Sequence, residues 1–141
     1  PYVRGFGGAY GMMQFMPHVG PKFGVYPGSS PEVQIMGGMK KISRDFNSWS
    51  EIPDVSQRQK FTLATYNAGR GHIEDAQRLA KKHGLNPLVW DENVEKMMLN
   101  LSKGQYYRDP VVKNGALRGT RTYNYVRTIY ARFEEWKSVY K

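Results

Sequence analysis

Apolar residues recur along the chain at steps of three and four, and no stretch alternates for long enough to require a strand, so the pattern predicts a mainly α domain. Pro31 suits the first turn of a helix, and Ile35, Met36, Met39, Ile42 and Phe46 behind it predict one buried stripe. Asp54 and Gln57 have the spacing of a capping box, opening a helix that carries Phe61, Ala64 and Ala68 and ends at Asn67-Ala68-Gly69. A third helix, from about Gly71 to His83, turns Ile73, Ala76, Leu79 and Ala80 inward and stops at Gly84. After Asn86-Pro87, Asp91 is placed to cap a helix through Val94, Met97, Met98 and Leu101, with Gly104 closing it. The last helix carries Val126, Ile129, Phe133, Trp136 and Tyr140 on one face. Burying each of these large side chains contributes about 1.5–3 kcal/mol, and this helix is expected to be a main wall of the core.

Composition adds limits. The chain has 141 residues, no internal repeat and no low-complexity linker, and is expected to fold as one domain over 1–141. Its lack of cysteine excludes disulfides and thiolate metal sites, and His18, His72 and His83 show no ligand spacing, so neither a metal nor a cofactor is expected. No stretch approaches the roughly 20 apolar residues of a membrane span, and no signal peptide is visible. The domain is expected to be a monomer without membrane contacts of its own. The start, Pro1-Tyr2-Val3-Arg4, has no initiator Met and reads as the middle of a motif, which predicts further chain and further domains upstream.

Lys and Arg number 21 against 12 Asp and Glu, a formal net charge of +9 that favours a polyanionic partner. Nucleic acid, an anionic membrane surface and an acidic cell-wall polymer all fit. The basic residues are scattered, so charge does not choose among them.

Three segments are left unexplained by helix packing. The first is Gly8-Ala9-Tyr10-Gly11-Met12-Met13-Gln14-Phe15-Met16-Pro17, where glycines lead into a short apolar turn with one amide. The glycines at 5, 7, 8 and 11 lack the G-x-G-x-x-G spacing and no strand precedes them, which rejects a phosphate cradle and leaves a buried turn as the plain alternative. The second is Ala64-Thr65-Tyr66-Asn67-Ala68-Gly69, a polar pair at a helix end that is ordinary C-capping if taken alone. The third, Tyr123-Asn124-Tyr125-Val126, opens the last helix with aromatic rings that would otherwise be core or rim.

In this order the three segments resemble the SLT family of lytic transglycosylases, whose signature is a Glu-Ser pair, then G-x-x-G-x-M-Q-x-x-P, A-Y-N-x-G and a late Tyr-Val. Gly8, Gly11, Met13, Gln14 and Pro17 match the second element. Tyr66, Asn67 and Gly69 match the third, with Thr65 where the family usually has Ala, and Tyr125-Val126 match the fourth. Pro31-Glu32-Val33-Gln34-Ile35 and Gly38 are similar to the intervening helix. Tyr106-Tyr107-Arg108, Arg118-Gly119 and Tyr125-Val126 are most similar to the C-terminal catalytic domain of a membrane-bound branch of the family.

The resemblance implies a lysozyme-like helical domain of the goose-type/SLT class that acts on peptidoglycan glycan strands in the periplasm or cell envelope, with association to the outer membrane through upstream segments. It implies cleavage of the MurNAc-GlcNAc β-1,4 bond by one glutamate, first acid and then base toward the C6 hydroxyl of the same N-acetylmuramic acid, giving a 1,6-anhydro ring. The internal hydroxyl supplies the proximity that a bound water would otherwise need. By the same resemblance Met13 lines the floor beside the acid, Gln14 and Asn67 offer amides to the sugar, Tyr66 bonds acid or sugar, and Tyr125 is a cleft wall.

Two departures stand out. The family's acid belongs to an E-S-x-F-x-P segment, and Pro1 is similar to its last residue, so the catalytic Glu and the N-terminal helix carrying it are expected upstream and no catalytic residue is assigned within the chain. Where the family often has G-x-E-T, this chain reads Gly119-Thr120-Arg121-Thr122, reversing a charge. Glu32, Glu51, Glu74 and Glu134 read as cap or solvent-face residues and do not replace the missing acid. The rivals are a catalytically dead cell-wall-binding module, which Arg121 would suit, and a basic helical nucleic-acid-binding domain, which gives Met-Gln-Phe-Met-Pro and Tyr-Asn-Ala-Gly no role.

Overall fold

Helix-forming stretches interrupted by glycine and proline give six α-helices in a computed structural model that describes residues 3–140. They are α1 Pro31–Ser48, α2 Val55–Ala68, α3 Arg70–Lys82, α4 Glu95–Asn100, α5 Gly104–Tyr107 and α6 Gly119–Val139. Ahead of α1 the chain makes short 3-10 turns at Phe6–Gly8 and Gly20–Phe23. Among the described residues there is no strand, only isolated bridges pairing Tyr10 with Arg4 and with Phe15, so the expected mainly α class holds.

The chain divides into two compact units, residues 1–47 and 48–141. In the first, Tyr10, Phe15 and Val25 form a small buried cluster with Met13, Val19 and Phe23 around it. The Tyr10 hydroxyl donates to Val25 O at 2.7 Å, and burial, then the neighbouring Tyr26, pushes that phenol above its ordinary pKa. Most of the α1 stripe expected to be buried is not: Ile35, Met36, Met39 and Ile42 are exposed and Phe46 is half-buried, and the buried positions of α1 are Gln34, Gly37 and Gly38. Helical period identifies a face, but small residues that admit close backbone approach decide which face is covered.

The second unit holds the larger core. Trp49, Ile52, Phe61, Ala64, Ile73, Ala76, Leu79, Trp90, Val94, Met98, Leu101 and Val126 are buried together. Phe61 sits between Trp49 and Trp90, with ring centroids 5.1 and 5.7 Å away. The predicted inward faces of α2, α3 and the 94–101 stretch are all found there. Asp54 caps α2 as expected, accepting Gln57 N–H at 2.9 Å. Gln57 does not reciprocate: its side chain accepts from Trp90 N–H and donates to Asp91.

Two boundary expectations fail. Asp91 does not cap a helix, because its carboxylate is taken by Lys60 Nζ at 2.6 Å; a π-helical turn at Trp90–Val94 intervenes, and Glu95 accepts Glu92 N–H ahead of α4. Gly104 opens α5 instead of closing α4. The last helix forms, but its wall stops early. Val126 is buried, whereas Phe133, Trp136 and Tyr140 are 37%, 59% and 69% exposed, since the second unit's core ends before they are reached.

Candidate functional site

The glycine-rich turn closes on itself through Tyr10 N–H to Phe15 O at 3.0 Å and Phe15 N–H to Tyr10 O at 3.1 Å. Gln34 holds it from α1: Oε1 accepts Met12 N–H at 2.7 Å and Nε2 donates to Ser29 O at 2.7 Å. This amide is 1% exposed, so both of its polar atoms are used for structure. Gly11 stands at φ +75°, where a Cβ would also overlap the Gln34 amide; a side chain is excluded on both counts. Met13 is half-buried, packed over Gly38 of α1 and against the Tyr10 cluster. Gln14 follows at φ 50°, exposed, with Nε2 donating to Gly11 O at 2.8 Å. Pro1, similar to the end of the acid-bearing segment, lies outside the described residues.

In the second unit the Tyr-Asn pair ends α2, and its setting is fixed from two sides. Thr65 is 6% exposed; its hydroxyl accepts Trp49 Nε1–H at 2.9 Å and donates to Phe61 O at 2.8 Å. The threonine in place of the usual alanine therefore satisfies a buried indole N–H. Tyr66 is half-buried and Asn67 exposed, and Gly69 N–H returns to Thr65 O at 2.8 Å to end the helix. Asn67 Oδ1 accepts the Thr122 hydroxyl at 2.8 Å, joining α2 to the first turn of α6. α6 can lie so near α4 because residue 119 is glycine: a Cβ there would run into the Met98 carbonyl. Tyr125, three residues past Thr122, is half-buried against the core, and burial raises its phenol above the ordinary value.

Met13 and Gln14 thus belong to the first unit and Tyr66, Asn67 and Tyr125 to the second. Within the second, Asn67 is brought onto α6 one helical turn before Tyr125. Thr122 was not a sequence candidate. The available signals were its place at the Thr of the G-x-E-T run and a hydroxyl four residues before the inward Val126, on the same helix face. Arg121 is exposed, beside rather than on that inward face.

None of the carboxylates with a displaced pKa is tuned as a general acid, which needs a value raised toward neutrality. Asp75 is fully buried, which by itself would raise it; N–H bonds from Lys113 and Asn114 at 2.8 Å each, with the Asn114 side chain and Arg78, outweigh burial and hold it low. Burial likewise works against Asp91, and the hydrogen bonds from Lys60 and Gln57 bring it below the ordinary value. Asp54 and Asp109 are lowered chiefly by hydrogen bonds from Ser56 and Lys82 respectively. Glu51 and Glu74 pair with Arg70, and Glu134 with Lys137.

A cavity of about 370 Å³ lies against Lys60, Trp90, Asp91, Glu95, Arg127 and Tyr130. Tyr130 OH donates to Gln59 at 3.3 Å while Thr122 meets Asn67, so α2 and α6 run antiparallel and the cavity sits about 12 Å along the pair from Asn67. Its cations are both paired: Lys60 meets Asp91 and Arg127 faces Glu95 at 3.9 Å, while Glu92, also on the lining, pairs with Lys96 outside it. The polar end of α2, not this cavity, presents side chains to solvent at the motif positions.

The chain belongs to the transglycosylase SLT domain family, whose model matches residues 1–88. Among its relatives are proteins named membrane-bound lytic murein transglycosylase F. That of Shewanella loihica is 36% identical over 129 residues, 92% of this chain and 26% of its own length. That of Pseudomonas putida is 37% identical over 132 residues, again 92% and 26%. The chain therefore spans about a quarter of the length of these relatives. The branch likeness carried by Tyr106-Tyr107-Arg108, Arg118-Gly119 and Tyr125-Val126 is borne out.

Proposed function

We propose that this chain is the glycan-binding framework of a peptidoglycan lytic transglycosylase, which cleaves the MurNAc-GlcNAc β-1,4 bond and leaves 1,6-anhydroMurNAc. The observation that carries the reading is the end of α2, where Asn67, at the family's motif position, is exposed yet oriented through Thr122. The substrate is a glycan strand of the cell envelope, and the residues proposed to contact it are Met13 and Gln14 in the first unit and Tyr66, Asn67 and Tyr125 in the second. Asn67 and Gln14 offer amides to sugar hydroxyl and acetamido groups, and Tyr66 and Tyr125 offer phenols and ring faces.

The acid is supplied from outside these 141 residues. The lowered pKa values of Asp54, Asp75, Asp91 and Asp109 support this, as does the order of the motifs, in which a Glu-Ser pair precedes the glycine-rich turn. The 141 residues act as one domain alongside others in a longer envelope protein.

Purified peptidoglycan digested by a longer chain carrying a Glu-Ser segment ahead of residue 1 releases anhydro-muropeptides, one water lighter than reducing ends by mass spectrometry. Reducing ends would make it a hydrolase, and retained binding without products a binding module. The 141-residue chain alone leaves the same substrate uncleared, since a general acid is worth about 10²–10⁴-fold.

A further inference from the structure

We propose that Thr122 is a positioning residue that fixes the polarity of the Asn67 amide, so that the end of α2 presents two N–H donors to an oxygen acceptor of the ligand. Thr122 is 1% exposed, and its hydroxyl donates to Asn67 Oδ1 at 2.8 Å across 55 residues of sequence. A primary amide has one acceptor oxygen and one NH2 group bearing two donors. With the oxygen committed to a buried hydroxyl, the amide is held in one of its two flips and the Nδ2 hydrogens are the part left for solvent or ligand. An exposed amide without that bond would sample both flips and several rotamers, and binding would have to order it.

The surroundings hold both partners still. Thr65, two residues before Asn67, is fixed by Trp49 Nε1 and Phe61 O. Thr122 sits between Gly119, which lets α6 approach α4, and the buried Val126. A hydroxyl is required at 122 and a carbonyl-type oxygen at 67, whereas the two N–H donors of Asn67 serve no contact among the described residues. The ligand atom they meet is an acceptor: a carbonyl, ether or hydroxyl oxygen of the glycan, not an amide or ammonium hydrogen.

This inference rests on the glycan-binding reading above, and its test separates the two. In the free 141-residue chain, the Asn67 side-chain 15N order parameter falls on Thr122→Val and returns on Thr122→Ser. An unchanged value in Thr122→Val overturns the positioning role whether or not any glycan binds. Titration with an N-acetylglucosamine oligomer followed by calorimetry tests the donors. Thr122→Val weakens binding roughly three- to tenfold, the range of one neutral hydrogen bond, and Thr122→Ser restores it.

Asn67→Asp keeps an oxygen for Thr122, so the thermal midpoint stays within a few degrees, but it removes both donors and abolishes most of the binding. Equal binding by Asn67→Asp overturns the donor assignment. Failure of the unsubstituted chain to bind the oligomer counts instead against the glycan-binding reading.

Discussion

At the scale of single residues, the polar side chains that matter are those whose hydrogen-bonding capacity is consumed inside the fold. Thr65 is the clearest. Thr65→Ala removes the acceptor of Trp49 Nε1 and leaves a buried indole N–H unpaired, so it is expected to lower stability by about 1–3 kcal/mol in urea unfolding. Thr65→Ser should recover most of that, because the hydroxyl and not the methyl is the partner. Gln34 is used in the same way in the glycine-rich turn. Gln34→Leu is expected to broaden the amide resonances of Met12 and Gly11 in NMR spectra, because it releases the Met12 N–H. Gln14 and Asn67, by contrast, keep exposed amide atoms.

Among the elements, the contrast lies along α6. Val126 is buried and Trp136 is 59% exposed, although both fall on the apolar stripe that the sequence shows. Val126→Ala is expected to cost about 2 kcal/mol, near the transfer free energy of a buried valine plus the void it leaves. Trp136→Ser should change stability by no more than about 0.5 kcal/mol. Thermal unfolding of the two variants makes the comparison, and a large loss for Trp136→Ser would show that the stripe is covered after all. The N-cap of α2 belongs to this scale too. Asp54→Ala should lower the thermal midpoint, because it removes the acceptor of Gln57 N–H.

For the whole molecule, acid is the informative perturbation. Hydrogen bonds in the fold hold the carboxyls of Asp54, Asp75, Asp91 and Asp109 below the ordinary aspartate range. Groups lowered by folding stabilise above their unfolded pKa and lose that contribution as pH falls through the native value. Stability measured by urea midpoint should therefore be flat above about pH 5 with respect to these groups and drop steeply below about pH 4. His72 acts in the same sense at higher pH. Its Nδ1 is buried with no hydrogen-bond partner among the described residues, and burial, opposed by Asp75, lowers its pKa from the ordinary imidazole value, so a smaller loss begins as pH falls through about 6.5. Asp75→Ala removes the buried carboxylate that ties residues 113–114 to α3 and should cost about 3 kcal/mol at pH 7, with the difference from the parent chain shrinking toward pH 3.

The sequence by itself determined what depends on neighbours along the chain. Helical period placed Ile73, Ala76, Leu79 and Ala80 inward, the Asp54 cap follows from a side chain reaching three residues on, and Gly69 and Gly84 ended their helices. The order of Met13-Gln14, Tyr66-Asn67 and Tyr125-Val126 carried the family. Tertiary structure decided what depends on partners far apart in sequence. The α1 and α6 stripes satisfy the same period as α3, yet Met39 and Trp136 are exposed, because amphipathicity marks a face without supplying what covers it. Asp91 had the composition of a cap, and Lys60, 31 residues away, took its carboxylate. Thr122 stood at the Thr of the family's G-x-E-T run, but only packing set it against Asn67, since a hydrogen bond across 55 residues leaves no local periodicity to read.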